Sequence, residues 1–131
     1  MEDDRGKFVV IAAGYKDKME EFLQMNAGLA SRFSHKLHIE DYNEDELLDI
    51  FKKMAQKDQY IVSPPAEFKV LDVISKMLVV KDRSFGNARE MRNLLDRTIE
   101  QLSLRVSRMS PDQVTKETYQ LILPEDIIEK R

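Results

Sequence analysis

The stretch Ser84–Val106, SFGNAREMRNLLDRTIEQLSLRV, limits most what this chain can fold into. Met91, Leu94, Leu95, Thr98, Ile99 and Leu102 recur every three or four residues, so they share one face of a helix. The other face carries Arg89, Arg92, Asp96, Arg97 and Glu100. Asn87 stands where the helix should begin, with Glu90 three residues on, the spacing of a reciprocal capping box. Arg89 falls in the first turn, where a cation opposes the helix macrodipole at a cost of about 0.3–1 kcal/mol. Two readings of Arg89 stand side by side. It is a solvated side chain with Glu90 for company, or it is a planar fork offered to a carboxylate or a phosphate.

Two more helices are expected after residue 42. Asn43–Gln59 pairs Asn43 with Glu46 in a second capping box and places Glu44 and Asp45 in the first turn. Its apolar stripe is Leu47, Leu48, Phe51, Met54 and Ala55, and Lys52, Lys53 and Lys57 lie toward its end. Tyr60–Val62 reads as a connector. Ser63-Pro64-Pro65 then opens the next helix, where proline is tolerated in the first positions. Its inward face is expected to be Phe68, Leu71, Val73, Ile74, Met77 and Leu78, with fraying at Val79-Val80 and a polar link at Lys81–Arg83. Past a break at Ser107–Pro111, residues 114–122 are mixed in character, and Pro124 starts a last short turn. Residues 42–131 thus read as a small helical bundle with a tail.

The first 41 residues read differently. Lys7–Ala13, KFVVIAA, is a continuous apolar run of the kind buried on both faces in a parallel sheet, and Gly14 ends it. Asp17–Met25 reads as a helix with Met19, Phe22 and Leu23 on one side. Asn26–Gly28 ends that helix, with Gly28 as a left-handed cap or a turn. Leu29–Phe33 is a helical turn or loop, and Lys36–Glu40 alternates as a short strand. This is a βαβ-like remnant without its sheet, as expected of a piece cut from a longer α/β domain. An unpaired apolar strand is expected to promote dimerisation, strand exchange or local disorder.

Composition removes several functions. The chain has 131 residues, 42% apolar and 34% charged, with a formal net charge of −3, so no overall basic field draws nucleic acid. It has no cysteine, hence no disulfide, thiolate metal site or thiol nucleophile, which fits an intracellular, cytoplasmic setting. His35 and His38 do not share a face on a strand beginning at Lys36, so no metal site is expected. No apolar run reaches membrane-spanning length, and MEDDRGKF is neither a signal nor a transit sequence. Gly6, Gly14, Gly28 and Gly86 open neither GxxxxGKS/T nor GxGxxG, so this chain is expected to lack a phosphate loop and to be inactive alone. Arg32, in GLASRF, lies on a turn. It either pairs with Glu40 or Asp41 or is offered to a neighbouring molecule, where it could neutralise charge during phosphoryl transfer.

Taken together, GYKDKM, NAGLASRF and FGNAREMRNL carry a resemblance. Over residues 7–106 the chain resembles the C-terminal part of an AAA+ ATPase. It resembles in particular the group with stage V sporulation protein K, the CbbX-type Rubisco activases and the ATPase subunits of mycobacterial type VII secretion. The resemblance implies residues 1–41 as the end of the α/β nucleotide domain and 42–131 as the helical lid. It implies a ring, usually a hexamer, that hydrolyses ATP with Mg2+ to remodel an unidentified client protein. Arg32 then matches the arginine finger that reaches ATP in the adjacent subunit. Arg89 matches the sensor-2 arginine on the γ-phosphate, and Gly86 and Asn87 adjoin the nucleotide with it. Walker A and B would lie upstream, so tight nucleotide binding by this chain alone is not expected. The sensor-1 position falls at Ala13-Gly14-Tyr15, with Tyr15 or Lys16 as alternatives for its polar group. Two other readings remain open. One is a non-catalytic protein-binding or scaffold domain of a degenerate relative. The other is a nucleic-acid-binding helix through Arg89, Arg92 and Arg97, against which Glu90, Asp96 and Glu100 argue.

Overall fold

The computed structural model describes residues 9–33, 35–80 and 86–129. The polar link expected at Lys81–Arg83, and Lys7 and Phe8 of the expected first strand, lie outside the described residues. The chain divides into two compact units, Met1–Glu40 and Asp41–Arg131.

In the first unit, α1 spans Lys16–Met25 and α2 spans Ala27–Arg32. Neither buries a residue. α1 begins at Tyr15, whose side chain makes no capping hydrogen bond. Gly28 lies within α2 and is not the left-handed cap of α1 considered from sequence. The described part of neither expected strand is a strand: residues 9–13 and 36–40 have no regular secondary structure, and their apolar side chains are exposed, Ile11 at 87% and Leu37 at 93%. The physical reason is the backbone. A strand needs a neighbour to accept and donate its ladder hydrogen bonds, whereas a helix satisfies its own.

The second unit is a three-helix bundle closed by its tail. α3 spans Glu44–Lys57, β1 is Ile61–Val62, α4 spans Pro64–Val79 and α5 spans Ala88–Ser107. α6 spans Lys116–Gln120 and runs into β2, Leu121–Ile122, with 3-10 turns at Pro111–Gln113 and Pro124–Asp126. The capping box on α3 is present: the Glu46 backbone N–H donates to Asn43 Oδ1 at 2.8 Å, and the Asn43 N–H donates to Glu46 Oε1 at 3.1 Å. α3 ends with Gln59 at φ 69°, and the Tyr60 N–H reaches back to the Ala55 carbonyl at 2.8 Å. This six-to-one closure is usually made by glycine. α4 starts as expected, with Ser63 Oγ accepting from the Ala66 N–H at 3.3 Å and Pro64 at its first position.

The core comes from all three helices: Leu47, Phe51 and Ala55 of α3, Ala66, Val70, Val73 and Ile74 of α4, and Met91, Leu94, Leu95, Leu102 and Val106 of α5. The face of α4 differs from the expected one. Phe68 is 76% exposed, while Ala66 and Val70 are fully buried. Residue 68 sits about 200° round the helix from 66 and from 70, so both cannot face inward with it. The connector Tyr60–Val62 contains a strand that the sequence reading did not resolve. Ile61 and Val62 pair in parallel with Leu121 and Ile122, and Ile122 and Ile127 drop into the core.

Candidate functional site

The start of α5 carries one of the two non-glycine residues with positive φ among the described residues. Asn87, the N-cap residue, has φ 47° and ψ −109°, and the Arg89 N–H donates to the Gly86 carbonyl at 2.9 Å. That is the conformation of the first central residue of a type II′ turn, a place normally given to glycine. A non-glycine residue there costs about 1–3 kcal/mol. A Cβ on Gly86 would lie 3.0 Å from Arg89 Cβ, so the turn brings the Gly86 backbone close to the arginine's stem.

The capping box expected between Asn87 and Glu90 is not made: Asn87 forms no side-chain cap. The Glu90 N–H instead meets the Asn87 backbone carbonyl at 3.0 Å. The Asn87 carboxamide turns away from its own helix. Its Nδ2 donates to Asp41 Oδ1 at 3.0 Å, and its Oδ1 accepts from the Tyr42 backbone N–H at 3.2 Å. The two partners fix the amide's orientation, because a carboxylate only accepts and a backbone N–H only donates.

Arg89 projects from the first turn and is exposed. Among the described residues no carboxylate pairs with its guanidinium. The other α5 arginines are occupied or turned inward. Arg92 meets Asp58 at 3.0 Å and Asp96 at 3.4 Å. Arg97 has Nε and Nη2 sealed from solvent without a hydrogen-bond partner among the described residues. Arg89, Arg92 and Arg97 therefore do not form an open basic stripe.

Arg32 lies in the first unit, at the last residue of α2. Its Nη1 donates to the Gly28 carbonyl at 3.1 Å, folding the side chain back along its own helix.

A further arginine went unnoticed in the sequence. Arg105 makes a two-pronged bond to Asp126, Nε to Oδ1 at 3.0 Å and Nη2 to Oδ2 at 2.9 Å. Nη2 also donates to the Leu121 carbonyl at 3.1 Å. The Asp126 side chain is 2% exposed and also accepts from the Leu123 N–H at 2.9 Å. The hydrogen bond to Asp126 leads in raising the Arg105 guanidinium's pKa above its ordinary value. This pair holds the tail on the bundle. The sequence signal was an arginine in the last turns of α5 and an aspartate just after Pro124, but nothing in their spacing joins them.

The second unit is thus a small domain of three packed helices closed by a short parallel ladder, with an exposed cation at the start of its longest helix. The AAA lid domain family matches residues 43–131, and the chain belongs to that AAA+ family. It is 40% identical over 131 residues to a chloroplastic ribulose bisphosphate carboxylase/oxygenase activase from Cyanidioschyzon merolae, covering 100% of this chain and 44% of that protein. It is 37% identical, with the same coverages of 100% and 44%, to a CfxQ homolog from Guillardia theta. It is 33% identical to stage V sporulation protein K of Bacillus subtilis, covering 97% of this chain and 39% of that protein. The chain thus spans less than half the length of these relatives. Among the described residues, no helix is long and apolar enough to cross a membrane.

Proposed function

We propose that this chain is the C-terminal part of an ATP-hydrolysing AAA+ motor that remodels other proteins. On this reading 1–41 completes an α/β nucleotide domain and 42–131 is the lid. The observation that carries the reading is Arg89: an exposed guanidinium on the first turn of α5, with no carboxylate partner among the described residues, on a lid of the AAA+ kind. A planar fork in that position suits a terminal phosphate. Gly86 and Asn87 form the turn that presents it, and the γ-phosphate of ATP is the group it would grip. ATP would carry Mg2+ into the site; among the described residues no three acidic, histidine or cysteine side chains cluster as a metal site.

Arg32 is the proposed arginine finger, acting on nucleotide held by the next subunit of a ring, usually a hexamer. Its bond to the Gly28 carbonyl lies at an exposed position, and a phosphate oxygen is a charged acceptor that suits the same guanidinium better than a neutral carbonyl. The relative named as an activase of ribulose bisphosphate carboxylase/oxygenase, itself a protein, supports a client that is a protein.

The test uses the protein with its Walker-bearing portion attached. Arg32→Ala is expected to abolish ATP turnover while nucleotide binding stays near normal. Arg89→Ala is expected to reduce the preference for ATP over ADP. Normal turnover in the first variant removes the finger assignment, and an unchanged ATP preference in the second removes the sensor assignment. A whole protein without Walker A would favour the scaffold reading.

A further inference from the structure

At the first central position of the turn before α5, glycine would be relaxed, yet the residue is Asn87 at φ 47°. The side chain that makes this conformation unfavourable also makes two hydrogen bonds across the fold, to residues more than forty positions earlier: Asp41 Oδ1 at 3.0 Å and the Tyr42 N–H at 3.2 Å. Asp41 is the first residue of the second unit, and Tyr42 precedes Asn43, the cap of α3. Two residues after Asn87 stands Arg89, its backbone N–H bonded to Gly86 across the same turn.

We propose that Asn87 is a positioning residue: its carboxamide latches the Gly86–Arg89 turn to the Asp41–Tyr42 segment, so that the placement of Arg89 depends on the stretch of chain entering the lid. This rests on the reading of Arg89 as a contact to the terminal phosphate. Asn87 then does not touch nucleotide through its side chain, since both ends of the carboxamide are committed within the second unit. A shift of the segment at 41–42 moves the turn that carries Arg89, and phosphate held by Arg89 resists that shift. The latch therefore makes the grip on ATP responsive to the chain entering α3.

The chemistry of the pair supplies the test. Asn87→Gly keeps the turn, and relaxes it, but removes the latch. Asn87→Asp sets two carboxylates against each other at about 3 Å, the present separation of donor and acceptor. Adding Asp41→Asn to Asn87→Asp restores one donor facing one acceptor, with the Tyr42 N–H still served. In the protein with its nucleotide domain, the ATP-over-ADP affinity ratio and the hydrogen exchange of the Tyr42 amide are measured for each.

Asn87→Gly and Asn87→Asp are expected to lower the ratio roughly five- to tenfold, the size of one or two net hydrogen bonds, and to speed Tyr42 exchange by a similar factor. The double variant is expected to recover both, which a loss of lid stability alone would not explain. If Asn87→Gly leaves the ratio unchanged while Arg89→Ala lowers it, the latch is wrong and the phosphate reading of Arg89 survives. If Arg89→Ala itself leaves the ratio unchanged, that reading fails and the positioning role falls with it. Failure of the swap to rescue Asn87→Asp would also overturn the proposal.

Discussion

The two units treat their apolar residues in opposite ways. In Asp41–Arg131, Leu47, Phe51, Ile74, Met91, Leu94 and Leu95 are all fully buried. In the described part of Met1–Glu40 no residue is buried, and Val9, Ile11, Leu37 and Ile39 are each at least 85% exposed. Hydrophobicity alone does not separate these sets, since VVIAA is as apolar as any stretch of the lid. The difference lies in who completes the backbone bonds. Three helices satisfy their own N–H and C=O groups and need only side-chain partners, which they find in each other. A buried strand needs other strands on both sides, and those are not among the described elements. An apolar segment is therefore a core segment only in the company of its sheet.

The largest effect that would break this comparison is in the core. Phe51→Ala should destabilise the second unit by about 3–5 kcal/mol. Leu37→Ala in the first unit should stay within about 0.5 kcal/mol. Urea unfolding followed by circular dichroism reads both. A matching loss at Leu37 would mean the first unit carries a core of its own.

A smaller loss is expected where the tail is fastened. Arg105→Ala leaves the Asp126 carboxylate buried without its cation and should cost about 3 kcal/mol, the low end for a buried pair because the arginine is partly exposed. Amide exchange should then rise first at Leu121–Ile127. Exchange rising evenly over all three long helices would show that the tail and the bundle are one cooperative piece.

The smallest effect compares helix starts. Asn43→Ala removes the capping box of α3 and should cost about 1 kcal/mol. Tyr15 offers α1 no side-chain cap, so Tyr15→Ser should add helix signal, by at most a similar amount. No gain at Tyr15 would mean that capping is not what limits the first unit's helix.

Much of the lid was legible in the residues. The three long helices, the Asn43–Glu46 box, the Ser63-Pro64 start and the α5 face Met91–Leu102 follow from spacing that any helix must obey. The inward side of α4 was misjudged at Phe68, because several apolar residues ring that helix and its mean pattern does not choose among them. Of the candidate site, the placement of Arg89 in a first turn was visible, and the partner of Asn87 was not. Its spacing to Glu90 matched a capping box, but the carboxamide found better partners at Asp41 and Tyr42.

Local order along the chain thus specified what local forces specify: periodicity, caps and helix ends, which depend on residues within a turn or two of one another. Tertiary structure alone decided the ladder between Ile61–Val62 and Leu121–Ile122, the grip of Arg105 on Asp126 and the turning of Asn87 toward Asp41. Each joins groups far apart in sequence, and their bonds exist only after three helices have packed and brought them within reach.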